Sequence, residues 1–202
     1  NMFVLVENDS ITKTLNGNTG ITIGENQYPR SIYTLWSAAE REAIGIYDVV
    51  FDNTNFKDQQ YYNNTNASLT FADETATSSY GAATARSLAD TLFTAQDEVD
   101  GKGTEGEVAV EGLKTQHKKI IKLQASSLLT STDWHVIKAT EVESYSVSAE
   151  QTTYRANVRT RSNEMEVLID ACSTVDELAG LYTYTGDPGS KTRPLGEWPE
   201  EV

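Results

Sequence analysis

The chain has a single cysteine, Cys172, among its 202 residues, so no disulfide can form within it. That composition suits a reducing compartment, where thiols stay free. It has four prolines, three of them beyond Gly186, and only two histidines and two methionines. With so few soft or imidazole ligands, a four-ligand zinc site would need carboxylates gathered from distant segments. There is no run of about 18 apolar residues, so no membrane-spanning helix is expected. Asn1 to Val6 has neither a basic n-region nor a long apolar core, and is not read as a secretory signal. Basic residues are also scarce: 16 Lys and Arg face 30 Asp and Glu, a net charge of −14. Such a balance disfavours sequence-independent nucleic-acid binding, which sets Lys and Arg against phosphates. The charge is uneven, at −11 over residues 1–111, +4 over 112–162 and −7 over 163–202. The basic stretch reads as an amphipathic helix pair whose cations meet acidic neighbours.

What is present is 38% hydrophobic residues in periodic groups, enough for a core. The N-terminal half carries strand signals. Phe3-Val4-Leu5-Val6, Ile11 to Leu15 and Ile21-Thr22-Ile23 read as strands, the last two joined into a hairpin by the Asn16–Gly20 turn. Ser37 with Glu40 forms a capping-box pattern for a short helix that Gly45 ends. Ile46 to Phe51 is a further strand. Leu69-Thr70-Phe71 and Thr75 to Tyr80, around Asp73-Glu74, make a second hairpin.

Near Gly81 the period changes to that of a helix. Ala82 to Val99 is expected to be helical, followed by the acidic linker Asp100–Gly106. Glu107 to Leu129 is expected as a long helix with Val110, Leu113, His117, Ile120, Ile121 and Leu128 on one side. Lys114, Lys118 and Lys122 form a separate solvated stripe. A short helix capped by Ser131-Thr132-Asp133 follows, and then a second long helix, Glu150 to Cys172. In that helix Tyr154, Val158, Arg161, Met165, Leu168 and Cys172 give the alternating four-and-three spacing of a helical hairpin seam. Arg161 interrupts the seam, either making a specific polar contact or snorkelling. The segment from Gly186 onward should be extended. The expected fold class is α+β, with a β-hairpin-rich N-terminal half and an antiparallel helical hairpin or bundle in the C-terminal half. The boundaries are a β-rich domain over residues 1–81, helix and linker over 82–106, and a helical domain with an extended tail over 107–202.

Catalytic and cofactor motifs are thin. Gly101 to Gly106 spells GxGxxG, but a helix is expected before it where a dinucleotide site needs a strand, and acidic neighbours would repel phosphate. Gln96, Glu98, Asp100, Gly101 and Glu107 fall at EF-hand loop positions, yet the first lacks its carboxylate. Neither His117 nor His135 sits in HExxH, and there is no GxSxG elbow or phosphate-binding P-loop. No catalytic, cofactor or metal residue is assigned, and no enzymatic activity is expected.

Two segments stand out. One is Thr132-Asp133-Trp134-His135-Val136-Ile137-Lys138-Ala139 followed by Thr153-Tyr154-Arg155-Ala156-Asn157-Val158-Arg159. The other is Arg193-Pro194-Leu195-Gly196-Glu197-Trp198-Pro199. The pattern of TDW, a turn, YRxxVR and a closing WP resembles the C-terminal module of tail-fibre assembly proteins and related tail-associated proteins of tailed bacteriophages. The region from Glu40 to Val49, with Tyr61-Tyr62 and its polar hairpin, resembles the β-rich leader of such proteins. The resemblance implies a non-enzymatic virion component made in the host bacterial cytoplasm. Its partners would be other tail or fibre proteins and further copies of itself, with neither nucleic acid nor membrane. A fibre-assembly chaperone absent from the virion is the alternative, and a host-glycan or receptor-binding module a third class. The residues singled out for structural or partner contacts are Trp134, Tyr154, Arg155, Arg159 and Trp198. Tyr154 is expected to pack on Trp134 across the hairpin, with Trp198 docking the tail on the same cluster. Arg155 and Arg159, four apart, share a face and are placed to pair with Glu141, Glu143 or a partner's carboxylates.

Overall fold

The computed structural model describes residues 1–201. The fold is α+β, with strands concentrated early and helices late. The chain divides into two compact units, Asn1–Thr84 and Ala85–Val202.

The first unit is built on a five-stranded mixed sheet. Strands β1 (Phe3–Glu7) and β2 (Ser10–Leu15) form an antiparallel hairpin. Its turn residues Asn8 and Asp9 both have positive φ, 51° and 58°, which a two-residue primed turn requires and Asn and Asp tolerate. The chain then forms a separate small hairpin, β3 (Ile21–Ile23) with β4 (Asn26–Tyr28). The Asn16–Gly20 segment therefore does not join two paired strands, as its residues suggested. Leu15 and Ile21, at its two ends, are both drawn into one core. Gly17, at φ 73°, lies against the rings of Phe3 and Tyr33, so the loop crosses over the core instead of reversing within a sheet.

Helix α1 (Ile32–Leu35) and helix α2 (Ala38–Glu42) follow, and the Ser37–Glu40 capping box forms as the sequence indicated. Strand β5 (Ile46–Asp52) pairs antiparallel with β1. After the short β6 (Tyr62–Asn63), the hairpin of β7 (Ala67–Ala72) and β8 (Thr75–Tyr80) turns through Asp73 and Glu74, again both at positive φ. Strand β8 joins β5 in parallel, giving the order β2-β1-β5-β8-β7. The sheet curls enough to bring its edge strands β2 and β7 near each other. Phe3, Leu5, Leu15, Ile21, Ile32, Tyr33 and Ile46 form the core on one face. Buried Arg41 ties α2 to the sheet, donating to the Trp36 carbonyl and to Asp48, both at 2.5 Å. The short β9 (Thr84–Ala85) lies at the division between the units.

The second unit opens with a small β-hairpin in place of the expected helix. The expected Ala82–Val99 helix is confined to α3 (Ala95–Val99), and β10 (Thr91–Leu92) pairs antiparallel with β11 (Val108–Val110). The Gly-rich segment closes this small hairpin. Thr94 and Asp97 cap α3 reciprocally, and Lys102 bridges Asp97 and Asp100. Short-range capping and a hairpin thus prevail over the helix propensity of the stretch. Helix α4 (Leu113–Thr130) consequently starts later than its periodicity implied. Its first turn is capped from a distance: Asp90 accepts from the Gly112 amide at 2.7 Å and from the Thr115 hydroxyl at 2.9 Å.

Helix α5 (Asp133–Glu141), helix α6 (Ala149–Ala171) and helix α7 (Val175–Gly180) complete the unit. Helices α4 and α6 pack antiparallel, as the lysine row shows. Lys114 donates to the Asp170 carbonyl, Lys118 pairs with the Asp170 carboxylate and Lys122 with Glu166. The lysine stripe thus lies along α6: Lys122 stays largely in solvent as expected, while Lys114 and Lys118 are partly covered by their contacts with Asp170. The buried row of α6 is Tyr154, Val158, Ser162, Met165 and Ile169, continued by Cys172. Ser162 and Ile169 take the buried places expected for Arg161 and Leu168, because Arg161 is turned toward the C-terminal segment, where it binds the carbonyls of Pro194 and Glu197. On α4, Leu113, Ile121 and Ala125 are buried, whereas Ile120 is exposed.

Candidate interaction surface on the helical unit

The residues singled out in the sequence separate into an inward and an outward group. The inward group holds the helices together. Tyr154 is buried with Ala125 and Val158, and Leu128, Leu129 and Trp198 pack on them. Burial pushes the Tyr154 phenol up, and the Glu201 carboxylate adds to this. Arg155 is 9% exposed and is the hub of the α4–α5 turn. Its Nη1 donates to the Leu129 carbonyl at 2.8 Å and to the Thr132 hydroxyl at 2.5 Å. Its Nη2 pairs with Asp133 at 2.7 Å. A planar fork satisfies three acceptors at once, which an ammonium on a flexible stem would do poorly. Its partners are thus in the turn, and Glu141 and Glu143 are not among them.

Thr132 explains why the TD pair precedes the tryptophan. Its side chain makes no helix cap. The hydroxyl, almost fully buried, donates to the Leu129 carbonyl at 3.0 Å and accepts from Arg155. The expected cap is thus replaced by a buried bridge between the α4–α5 turn and Arg155 on α6, for which the recurrence of TD with YR is the available signal.

The closing RPLGEWP segment is anchored as well. Leu195 is fully buried, and its amide donates to the Leu181 carbonyl at 2.9 Å. Arg161 donates to the carbonyls of Pro194 at 2.6 Å and Glu197 at 3.0 Å. Of the two roles open to it, Arg161 takes the specific polar contact. Trp198 donates from its indole nitrogen to Gln124 at 3.1 Å while its rings cover the Tyr154 cluster. Gly196 has φ 84° and lies against the Arg193 guanidinium, where a side chain would collide.

The outward group is different. Trp134 is 53% exposed and does not join Tyr154 in the buried cluster. It stacks on His135, with ring centroids 3.7 Å apart. His135 Nδ1 shares a 2.5 Å hydrogen bond with the Tyr145 hydroxyl. The Lys138 ammonium sits 4.5 Å from the Tyr145 ring centre and 5.8 Å from that of Trp134. The indole is thereby held in place while it faces solvent. Helix α5 buries none of its residues, and Val136 and Ile137 are exposed together with Trp134. Arg159 is exposed and makes no ion pair among the described residues. It lines an open groove of about 490 Å³ with Asp133, Ser126, Thr130 and Asn163.

The remaining sequence candidates have local roles. His117 is half-buried, with Nδ1 2.6 Å from the Tyr182 hydroxyl, and burial pushes its imidazole down. Cys172 is buried, which pushes its thiol up and away from the reactive thiolate. Among the EF-hand-like positions, Asp100 is engaged by Gln96 and Lys102, and Glu98 accepts the Glu105 amide. Among the described residues, no His, Cys, Asp and Glu group is arranged to hold a metal, and no helix is long and apolar enough to cross a membrane. Comparison with protein-family models, with curated proteins and with solved structures returned no match for the chain.

Proposed function

We propose that this protein is a structural component of a bacteriophage tail or tail fibre that acts by protein–protein contact and not by catalysis. The observation that carries the reading is α5, a helix with no fully buried residue that displays Trp134, Val136 and Ile137. An amphipathic helix normally covers its apolar side against something. Tryptophan is also among the residues most often central to binding energy. The partner that fits is a protein segment with an apolar residue for Trp134 and Ile137 and a carboxylate for Arg159. Such contacts repeated between copies and with other tail proteins would place the chain in the virion, after synthesis in the host cytoplasm. Tyr154, Arg155, Val158 and Trp198 support the reading differently, by building the platform from which α5 projects.

Quantitative mass spectrometry of purified phage particles tests it. A stoichiometric presence relative to the major capsid protein is expected. Absence from particles with abundance in infected cells would replace it with a transient fibre-assembly chaperone. The surface is tested by Trp134→Ala combined with Ile137→Asp. Incorporation or partner capture should fall at least about tenfold, which corresponds to about 1.4 kcal/mol. The melting temperature should hardly move, because neither side chain is part of a core.

A further inference from the structure

The first unit carries a second, unrelated groove, about 500 Å³ in volume, formed by the segment between β5 and β7 together with Tyr80. Phe56, Tyr62 and Tyr80 supply aromatic rings, and Phe56 lies 42% exposed with its ring centre 5.0 Å from that of Tyr80. Gln59, Asn63 and Asn66 supply amides along the same wall. No charged side chain lines the groove, in a chain of which 23% of residues are charged. We propose that this groove binds a neutral saccharide.

The chemistry follows from the lining. A pyranose presents C–H faces that pack on aromatic rings and hydroxyls that both donate and accept. Asn and Gln amides match such hydroxyls because each has a donor and an acceptor side by side. A carboxylate would instead select a cationic ligand, and the lining has none, while the Lys57 ammonium beside it lies over the Tyr62 ring. An apolar peptide would want aliphatic walls, and Ala67 is the only aliphatic side chain in the lining.

The groove is also braced before any ligand arrives. Asn64 accepts from the Lys57 amide at 2.9 Å and donates to the Lys57 carbonyl at 2.7 Å, pinning the segment as a strand pair would. Asn55 donates to the Tyr80 carbonyl at 2.9 Å, and the Gly81 amide donates to the Thr65 hydroxyl at 2.8 Å. Lys57 covers the Tyr62 ring at 4.4 Å, fixing that ring in turn. The side chains of Asn63 and Asn66, by contrast, are not used in this bracing. Preorganisation of this kind lowers the ordering cost that weak polar ligands cannot repay. The inference does not depend on the role proposed for α5.

The test is a titration of the full chain with soluble oligosaccharides of glucose, galactose and N-acetylglucosamine, followed through the side-chain amide NMR signals of Asn63 and Asn66. Saturable shifts with at least one of the three series are expected. Tyr62→Ala and the exposed Asn66→Ala should each weaken binding at least about tenfold. Asn66→Ala is the control for folding, since its side chain is exposed, and Trp134→Ala should bind as the parent does. Absence of saturable shifts with every neutral series overturns the proposal. So does binding that survives both groove variants, or tighter binding of sulfated or sialylated sugars, or of peptides, at these residues.

Discussion

Two side chains show how far single residues matter here. Arg155 satisfies the Leu129 carbonyl, the Thr132 hydroxyl and Asp133 from inside the α4–α5 turn. Removing it takes the donor from the almost fully buried Thr132 hydroxyl and empties the space of a side chain that is itself buried, although the Leu129 carbonyl keeps its two Thr132 donors and half-exposed Asp133 regains water. Arg155→Ala should therefore cost about 3 kcal/mol in urea unfolding. Arg155→Lys should recover less than half of that, because one ammonium cannot span all three partners. Had the site been an ordinary surface ion pair, both changes would stay below about 1 kcal/mol. His117 gives a pH signature. Its folded imidazole is held below the ordinary 6.5 by burial, so the unfolded chain binds its proton more readily. Its contribution is complete above pH 6.5 and is lost as pH falls from there through the lowered folded value. His117→Gln, compared with the parent in denaturant titrations between about pH 7.5 and 5, should flatten the stability slope in that window. An unchanged slope would mean that His117 does not titrate differently in the two states.

At the scale of elements, the start of α4 is set by packing that no periodicity displays. Gly112 lies so close to the backbone of Ala89 that an added Cβ would fall 2.3 Å from its carbonyl carbon and oxygen. Backbone cannot yield as a side-chain tip can. Gly112→Ala should thus destabilise the second unit by about 3 kcal/mol or more and loosen the Asp90 cap, read as a lower melting temperature and faster amide exchange at the start of α4. What was legible in the sequence follows the same division between local and distant causes. The β7–β8 hairpin and the Ser37 capping box depend on neighbours a few residues apart, and the pattern shows them. The parallel β5–β8 pairing, the remote Asp90 cap and the β10–β11 hairpin depend on distant partners, and it does not. The candidate site divides likewise. Trp198 over Tyr154 was readable as an aromatic docking of the tail. The outward position of Trp134 was not, because an amphipathic helix facing a partner spells the same letters as one facing its own core.

On the scale of the whole molecule, the two units have separate cores, and this sets how the protein should unfold. The first unit centres on Ile46, Ile32, Phe3 and Leu5, all drawn from residues 1–84. In the second, Val158, Met165, Ile169, Leu178 and Leu195 are fully buried, all from residues after 84. Each core is large enough to melt as its own cooperative step, and multidomain chains commonly depart from a single two-state transition. Calorimetry should resolve two transitions. Ile46→Ala, which empties a fully buried site, should cost about 3 kcal/mol in one transition and leave the other in place. Met165→Ala should do the converse. Tryptophan fluorescence can assign them, since Trp36 reports on the first unit and Trp198 on the second. The His117 effect should then appear only in the transition that Met165→Ala lowers. If either core substitution shifts both transitions equally, the units unfold as one. The α5 surface would then be presented by the whole chain and not by a helical unit that is stable by itself.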